Sequence, residues 1–172
     1  FNGGVLMAIY YGDGSNSGSG RIVQVVQDTK YDVSSTTSSS FSDISGLAVT
    51  ITPKSSSHKI LVTAELKGWA QNSQMGAVRL RRNSTDIYIG SPQDSREQCS
   101  GAGWYAHTSP NQVIGSMMIN YLDSPSTTSS TTYKLRWRTL SNVAWINRSA
   151  YDANDADNCR TVSSITAMEV AA

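Results

Sequence analysis

The sequence lacks the patterns that mark several large classes of protein. No apolar run reaches about 18 residues, the length that a membrane-spanning helix needs, so no membrane insertion is expected. Charged residues make up only 16% of the chain and the net charge is +1, without the clustered basic excess of a nucleic-acid binder. Stretches of Ala, Leu, Glu and Lys with a 3.6-residue period are also missing, which argues against a helical fold.

Residues suited to metal binding and nucleophilic catalysis are scarce as well. Cys99 and Cys159 are too few to complete a zinc site, and neither His58 nor His107 stands at ligand spacing from them. The two cysteines are expected either to form a disulfide, which needs an oxidising compartment, or to remain free thiols. The chain has no G-x-S-x-G nucleophile elbow and both histidines are expected at the surface, so the sequence predicts a protein that is not an enzyme.

What the sequence does contain is a recurring alternation of apolar and polar residues in a chain that is about a quarter Ser and Thr. This period of two predicts antiparallel strands with one buried and one solvent-facing side. Strands at this spacing, separated by polar turns, predict an all-β fold, an antiparallel β-sandwich of jelly-roll type. The predicted strands are 21–29, 47–52, 59–66, 76–82, 85–89, 112–122, 133–138, 143–147 and 161–170.

One predicted strand, 112–122, is apolar on both of its sides. An alternating strand needs only one apolar side to contribute to the core. Segment 112–122 is therefore expected either to be a central strand or to meet another subunit with its outer side.

Arginines recur in two of the alternating segments and predict a basic sheet face. Such residues are expected to be solvated or to pair with acidic residues across a subunit boundary. Binding of an anionic polysaccharide or of phosphate is the alternative. The residues concerned are Arg79, Arg81, Arg82, Arg136 and Arg138.

An acidic loop near the C-terminus is the one candidate metal site. Its oxygen-bearing side chains are Asp152, Asn154, Asp155 and Asp157. Calcium takes six to eight oxygen ligands, and such loops can supply them. No Gly follows and no Glu closes the loop, so the EF-hand pattern is not met and a solvated turn is the alternative. No other cofactor is expected.

A glycine-containing loop carries the candidate ligand contacts, Trp104, Tyr105 and His107. Aromatic faces stack on the apolar faces of sugar rings, while polar groups beside them fix orientation. The loop is therefore predicted to contact a glycan or a receptor. Burial against a neighbouring subunit is the alternative.

Several motifs, in order along the chain, resemble the C-terminal β-sandwich domains of phage tail fibres and other virion-surface proteins, especially those of phages of aquatic bacteria. The motifs are RIVQVVQ at 21–27, STTSSSFSDISGLAVTITPKSSSHKILV at 35–62, RRNSTDIYIG at 81–90, YLDSPSTTSSTTYKLR at 121–136 and SSITAMEV at 163–170. The resemblance implies a jelly-roll-like module, a homotrimer and a location on the virion surface, in a tail fibre, a head fibre or the capsid exterior. It supplies no catalytic residues.

Residues 1–20 are expected to be distinct from the head domain, 21–172. Segment 12–20 has the composition of a flexible linker and separates an apolar strip, 5–11, from the rest. In a fibre this strip is expected to belong to the stalk or neck of a longer polypeptide. An edge strand of the same domain is the alternative.

The expected function is attachment to the host surface by a fibre head. The partners are then two further copies of the chain, other virion proteins at the N-terminal end, and a host glycan or protein. A capsid decoration or head-fibre structural protein is the second hypothesis, and a stand-alone carbohydrate-binding module is the third.

Overall fold

The computed structural model describes residues 20–70, 76–103, 114–149 and 151–172. These residues form eleven strands and contain no helix, and hence no helix that could cross a bilayer. The strands are β1 (Ile22–Lys30), β2 (Ser34–Thr36), β3 (Ser42–Ile51), β4 (Lys59–Ala70), β5 (Gly76–Arg82), β6 (Thr85–Ile87), β7 (Gly101–Gly103), β8 (Gly115–Asp123), β9 (Thr131–Thr139), β10 (Ala144–Ile146) and β11 (Ser163–Val170).

The strands form two antiparallel sheets. In sheet A, β4 pairs with β8 along one edge and with β11 and then β10 along the other. β1 pairs with the outer edge of β11, and β2 pairs with the outer edge of β10. In sheet B the order is β3, β9, β5, and then β6 and β7 along the free edge of β5. The predicted antiparallel β-sandwich is confirmed.

The order of the strands is that of a jelly roll. Three pairs of strands each occupy a single strand position. β2 lies in line with β1, β10 lies in line with β11, and β6 and β7 both pair with the same edge of β5. Counted in chain order, sheet A then takes positions 1, 8, 3 and 6, and sheet B takes positions 2, 7, 4 and 5. This arrangement is the eight-position double Greek key.

The core lies between the sheets and follows the predicted alternation. In β9 every second residue is buried, with Tyr133, Leu135 and Trp137 at most 4% exposed. The corresponding inward residues of β4, such as Ile60 and Val62, are fully buried. The period of two in the sequence therefore identified the inner face of these strands.

Three features of the strands differ from the prediction. The three-residue strands β2 and β7 were not predicted, because SST and GAG contain no apolar alternation. β3 begins at Ser42 rather than at residue 47, because its first half is a bulge whose register shifts between Asp43 and Ala48. Gly46 lies in this bulge with φ +80°, a conformation that favours glycine.

Segment 112–122 corresponds largely to β8, which lies at an edge. Among the described residues β8 pairs with β4 alone, so this segment is an edge strand there and not the central strand that was one of the two expectations. Its inward residues Met117 and Ile119 join the core, while Met118 and Leu122 point outward and are 69% and 47% exposed. Contact of this outer side with another subunit stays a prediction.

A polar clasp joins the two sheets at Asp123, the buried last residue of β8. Arg82 Nη1, at the end of β5, lies 2.9 Å from both carboxylate oxygens. The hydroxyl of Tyr133, on β9, donates to Asp123 Oδ2 at 2.6 Å. Burial, together with the hydrogen bond to Asp123 and the charge of that carboxylate, raises the pKa of Tyr133. The clasp therefore fixes sheet A against sheet B at this end of the sandwich.

Candidate functional site

The two ends of the sandwich differ in what they carry. We call the end at Lys30, Gly68 and Thr139 the loop end, and the end at Ile22 and Val170 the terminal end. Lys30 pairs with Ser163 at the loop end, whereas Ile22 pairs with Val170 at the terminal end. The order of the strands brings four connections to the loop end, namely 31–41, 71–75, 104–114 and 140–162.

The terminal end carries short connections and the two ends of the described chain. Its connections are 52–58, 124–130 and the two-residue turn 83–84. Gly20 N donates to Ala171 O at 2.7 Å, and Ala171 N donates to Arg21 O at 2.8 Å. Gly20 and Ala171 therefore lie at the end of the sandwich opposite the four connections named above.

The predicted ligand contacts Trp104, Tyr105 and His107 lie outside the described residues. Their connection starts at Gly103 in β7 and is followed by β8, and both strands reach the loop end there. The predicted metal loop belongs to another of the four connections, 140–162. The fold therefore attaches both candidate loops to the same end of the molecule, which sequence separation alone did not indicate.

In the acidic loop, Asp152 is held by arginines. Its Oδ2 lies 3.0 Å from Arg148 Nη1, and its Oδ1 accepts a hydrogen bond from Arg160. That hydrogen bond holds the pKa of Asp152 below its ordinary value. Arg148 in turn lies over the ring of Trp145, with its guanidinium carbon 5.2 Å from the ring centre. The carboxylate thus neutralises arginines and braces the base of the loop.

The remaining predicted metal ligands do not gather around a common point in the described residues. Asp155 Oδ1 accepts bonds from the amide of Asp157 at 3.1 Å and from the side chain of Asn158 at 2.5 Å, which form an Asx turn. Asn154 and Asp157 are exposed. No group of three or more His, Cys, Asp or Glu side chains suited to a metal occurs in the part of the chain that the structure describes.

Asn147 anchors the acidic loop to the sandwich and was not identified as a structural residue from the sequence. It is fully buried with φ 65°, a left-handed conformation that Asn tolerates well. Its Nδ2 donates to Lys30 O at 2.7 Å and to Asp32 O at 3.0 Å, and its Oδ1 accepts from Ser163 Oγ at 2.7 Å. One side chain thus ties the 140–162 connection to the 31–41 connection and to the ends of β1 and β11.

Replacing Asn147 with alanine is expected to lower the free energy of unfolding by about 2–3 kcal/mol, because three buried hydrogen bonds are lost. Asn142→Ala is the matched control, since Asn142 also has a left-handed φ, 63°, but is exposed. The control is expected to lower the free energy of unfolding by about 1 kcal/mol, which is the cost of placing alanine in a left-handed conformation. Urea unfolding measures both. Equal losses in the two variants would show that the buried hydrogen bonds contribute nothing.

The predicted basic face is the outer side of sheet B. Arg79 Nη1 lies 2.9 Å from Asp86 Oδ2, and Arg79 also pairs with Glu97. Its guanidinium carbon lies 4.1 Å from the centre of the Phe41 ring. Arg138 binds Glu97 at 2.9 Å and approaches the same ring at 5.5 Å. Phe41 is therefore covered by two guanidinium groups, a favourable cation–π arrangement.

The same face continues along β9, where Lys134 and Arg136 lie 2.5 and 3.1 Å from the carboxylate of Asp43. The acidic partners thus belong to this chain rather than to a neighbouring subunit. Arg82 differs from the other four arginines, because it turns inward to Asp123. The outer face carries Arg79, Arg81, Lys134, Arg136 and Arg138 against Asp43, Asp86 and Glu97.

The two cysteines are free thiols in the structure. Cys159 is exposed in the acidic loop, whereas Cys99 is half-buried beside the arginine face. Burial, and then the charge of Glu97, raises the pKa of the Cys99 thiol.

His58 is not the free surface residue that was expected. Its Nδ1 lies 2.6 Å from Oε1 of Glu169, and its side chain is only 18% exposed. Glu169 is fully buried and also accepts bonds from the Lys54 amide at 2.6 Å and from Gln24 Nε2 at 2.5 Å. Burial acts to raise the pKa of Glu169, but these hydrogen bonds outweigh it and hold the pKa below its ordinary range.

Two of the buried polar residues had a signal in the sequence. Glu169 continues the inward-facing series Ile165 and Ala167 at a spacing of two, so a carboxylate stands where an apolar residue is expected. Asp123 follows Met117 and Ile119 with the same spacing. A charged residue at a core-facing position requires a partner, and that requirement predicts a buried polar contact.

Comparisons with known proteins give weak structural similarity and no sequence match. No family model matches the sequence, and no curated protein matches it. Among solved structures the chain is similar to a chain in the structure of infectious bursal disease virus Gx strain. The identity is 14% over 98% of this chain and 43% of that chain, with a TM-score of 0.45. At that TM-score the similarity carries no functional argument, and membership of the phage fibre family stays a prediction.

Proposed function

We propose that this chain is the non-enzymatic head domain of a phage virion fibre, and that it attaches the virion to the host surface through its loop end. The observation that carries the proposal is the separation of the two ends of the sandwich. The chain enters and leaves at the terminal end, while four connections open at the other. A head held through its terminal end therefore directs its loops away from the virion. The fibre-head motifs in the sequence supply the biological setting.

Exposed aromatic residues at the loop end support binding to a glycan. Tyr31 and Tyr151 are 74% and 51% exposed in the connections 31–41 and 140–162. Trp104, Tyr105 and His107 belong to the 104–114 connection. Aromatic rings that present a flat apolar face and a polar tip suit sugar rings. The arginine-braced acidic loop would give such contacts a rigid base.

Two of the carboxylates, Glu97 and Asp152, are paired with arginines, which supports binding without catalysis. Glu97 pairs with Arg79 and Arg138. Asp152 pairs with Arg148 and Arg160. A glycosidase needs one carboxylic acid with a raised pKa and one free carboxylate across the bond that is cleaved. The hydrogen bond from Arg160 lowers the pKa of Asp152, which makes that carboxyl a poor general acid.

The proposed head acts as a homotrimer. Single glycan contacts are weak, and several copies on one fibre raise the overall affinity by 10²–10⁴-fold when geometry allows simultaneous binding. Other virion proteins would then hold the trimer through the residues that precede Gly20.

The test is binding of the purified, fluorescently labelled full chain to a panel of aquatic bacteria and to their isolated surface polysaccharides. We expect saturable binding to a subset of the panel, and competition with adsorption of phages that infect those isolates. Trp104→Ala with Tyr105→Ala should weaken binding by about tenfold or more, since each aromatic contact contributes about 0.5–1.5 kcal/mol.

Tyr88→Ala is the matched control, because Tyr88 is an exposed aromatic outside the loop-end connections, stacked on Tyr121 at 4.9 Å. It should leave binding unchanged. Binding to no cell or polysaccharide, together with binding to assembled capsids, would favour the decoration hypothesis instead. Binding of one defined glycan by a monomer would favour a carbohydrate-binding module.

A further inference from the structure

The outer face of sheet B has a covered half and a more open half. Towards the loop end, its arginines donate to backbone carbonyls of the connections beside the sheet. Arg79 Nε donates to Gln98 O at 2.8 Å, and Arg138 Nη1 donates to Ser39 O at 3.1 Å. The side chains of Arg79, Arg136 and Arg138 are at most 20% exposed. This half of the face is therefore committed to contacts within the chain.

The more open half lies towards the terminal end and contains Arg81 and Lys134. These two residues are direct partners across β5 and β9, and their side chains are 25% and 26% exposed. Residues paired in this way have Cβ atoms about 5 Å apart. On the other side of Lys134 the register places Ala48, whose single methyl group is too short to cover the ammonium. The fold thus places two cations side by side on the more exposed half of the face.

Both cations keep hydrogen-bond donors that the described part of the chain does not use. Arg81 donates through Nε, to Asp86 Oδ1 at 2.7 Å, and its two terminal nitrogens have no hydrogen-bond partner among the described residues. Lys134 donates one bond, to Asp43 Oδ2 at 2.5 Å, whereas an ammonium has three donors. A guanidinium presents its nitrogens as a planar fork that matches both oxygens of a carboxylate. The pair therefore has the donors for one further anionic group.

The charge of the face favours an anion over a neutral group. Five cations stand against three carboxylates, which leaves an excess of two positive charges. Each carboxylate is shared by two or more cations, so none of these cations has a counter-charge of its own. Like charges directly opposite each other in neighbouring strands are destabilising, and Arg81 and Lys134 are placed in this way. An anion bound between them relieves that repulsion.

Two hydroxyl groups lie in the next outward row towards the terminal end. Thr132 precedes Lys134 at a spacing of two on β9, and Thr50 is its partner on β3. Their Oγ1 atoms are 2.8 Å apart, and the pair is exposed. A hydroxyl donates one bond and accepts up to two, so the pair keeps capacity for a sugar hydroxyl. An anion site beside neutral hydroxyls suits a sugar ring that carries a carboxylate.

We infer that Arg81 and Lys134 bind a carboxylate of an acidic polysaccharide on the outer face of sheet B, with Thr50 and Thr132 beside the sugar ring. The guanidinium holds the carboxylate through Nη1 and Nη2, and the ammonium donates to one of its oxygens. Asp43, which is 49% exposed beside Lys134, repels the anion and limits the affinity. The site is separate from the loop end, so it stands whether or not the loop end binds a glycan.

The test is binding of polygalacturonate to the full chain, measured by isothermal calorimetry at low and at physiological salt. Wild type is expected to bind saturably, and its affinity should fall as salt screens the charges. Arg81→Gln and Lys134→Gln should each weaken binding by at least threefold, and the double variant by at least tenfold. Lys59→Gln is the matched control, because it removes the same charge from an exposed lysine of sheet A, and it should bind as wild type does.

Asp43→Asn keeps the test decisive if the cation variants fail to fold. It removes the carboxylate beside Lys134 and keeps the size of the side chain, so binding should strengthen by at least threefold, a gain that a misfolded protein cannot give. Methyl-esterified polygalacturonate should not bind, since its carboxyl groups carry no charge.

Three results would overturn the inference: a wild type that does not bind polygalacturonate, an equal loss of affinity in Lys59→Gln, or unchanged affinity in Asp43→Asn. Inorganic phosphate and duplex DNA are added as competitors. If either displaced polygalacturonate at an equal concentration of charge, the face would be an unselective anion site, and an acidic polysaccharide would be wrong as its ligand.

Discussion

Replacing Asp123 with alanine is expected to lower the free energy of unfolding by about 3 kcal/mol. The carboxylate is 3% exposed and is the partner of both Arg82 and the fully buried hydroxyl of Tyr133. Its removal leaves one guanidinium without a counter-charge and one hydroxyl without an acceptor. Breaking a buried ion pair by removing one partner costs about 3–5 kcal/mol, and the partial exposure of Arg82 places this case at the lower limit.

Urea unfolding followed by tryptophan fluorescence measures this effect. Arg96→Ala is the matched control, because Arg96 forms an ion pair with Asp94 in which both side chains are more than 70% exposed. Exposed pairs contribute at most about 1 kcal/mol, so the control should change the stability little. If the two variants lost the same stability, the clasp between the sheets would have no energetic role. Tyr133→Phe in the Asp123→Ala background should cost little further, since the two groups act as one unit.

Replacing Glu169 with glutamine is expected to lower the free energy of unfolding by about 2 kcal/mol at neutral pH and by less in acid. The glutamine keeps the size of the side chain but loses the charge that accepts bonds from Gln24, Lys54 and His58. Hydrogen bonds to a charged group contribute about 1.5–3 kcal/mol.

The pH dependence follows from the direction of the pKa shift. The pKa of Glu169 in the folded chain lies below its value of about 4.3 in an unfolded chain. As the pH falls, the unfolded chain therefore binds the proton first. The stabilisation is complete above about pH 4.3 and is lost as the pH falls through the folded pKa. The difference between wild type and Glu169→Gln should narrow from pH 6 to pH 3.

Denaturant unfolding at intervals of half a pH unit tests this expectation. Asp32, Asp43 and Asp152 also have lowered pKa values, but they are present in both proteins and cancel in the difference. Glu65→Gln is the control, since Glu65 is 41% exposed beside Lys67 and should give a nearly constant difference. Parallel curves for wild type and Glu169→Gln would contradict a charged Glu169 in the folded protein.

How far the sequence predicts the site depends on the range of each interaction. Asn147 contacts Lys30, which lies 117 residues earlier, and His58 contacts Glu169, 111 residues later. Pairs so distant become neighbours only when the sheets assemble, so no local pattern near His58 indicated its buried partner. The carboxylates of the acidic loop have separate partners and do not gather around a common point. The arginine partners Arg148 and Arg160 determine what Asp152 does there.

By itself the sequence determined the all-β class, most of the strands and the side of each strand that faces the core. Those properties depend on a period of two that is written locally, as Tyr133, Leu135 and Trp137 show. The tertiary structure alone decided that β8 is an edge strand among the described residues, that the strand ends joined by four connections lie at the loop end, and that Asp123 joins the two sheets. Those properties depend on which strands pair and in which register, and pairing is settled by packing between segments far apart in the chain.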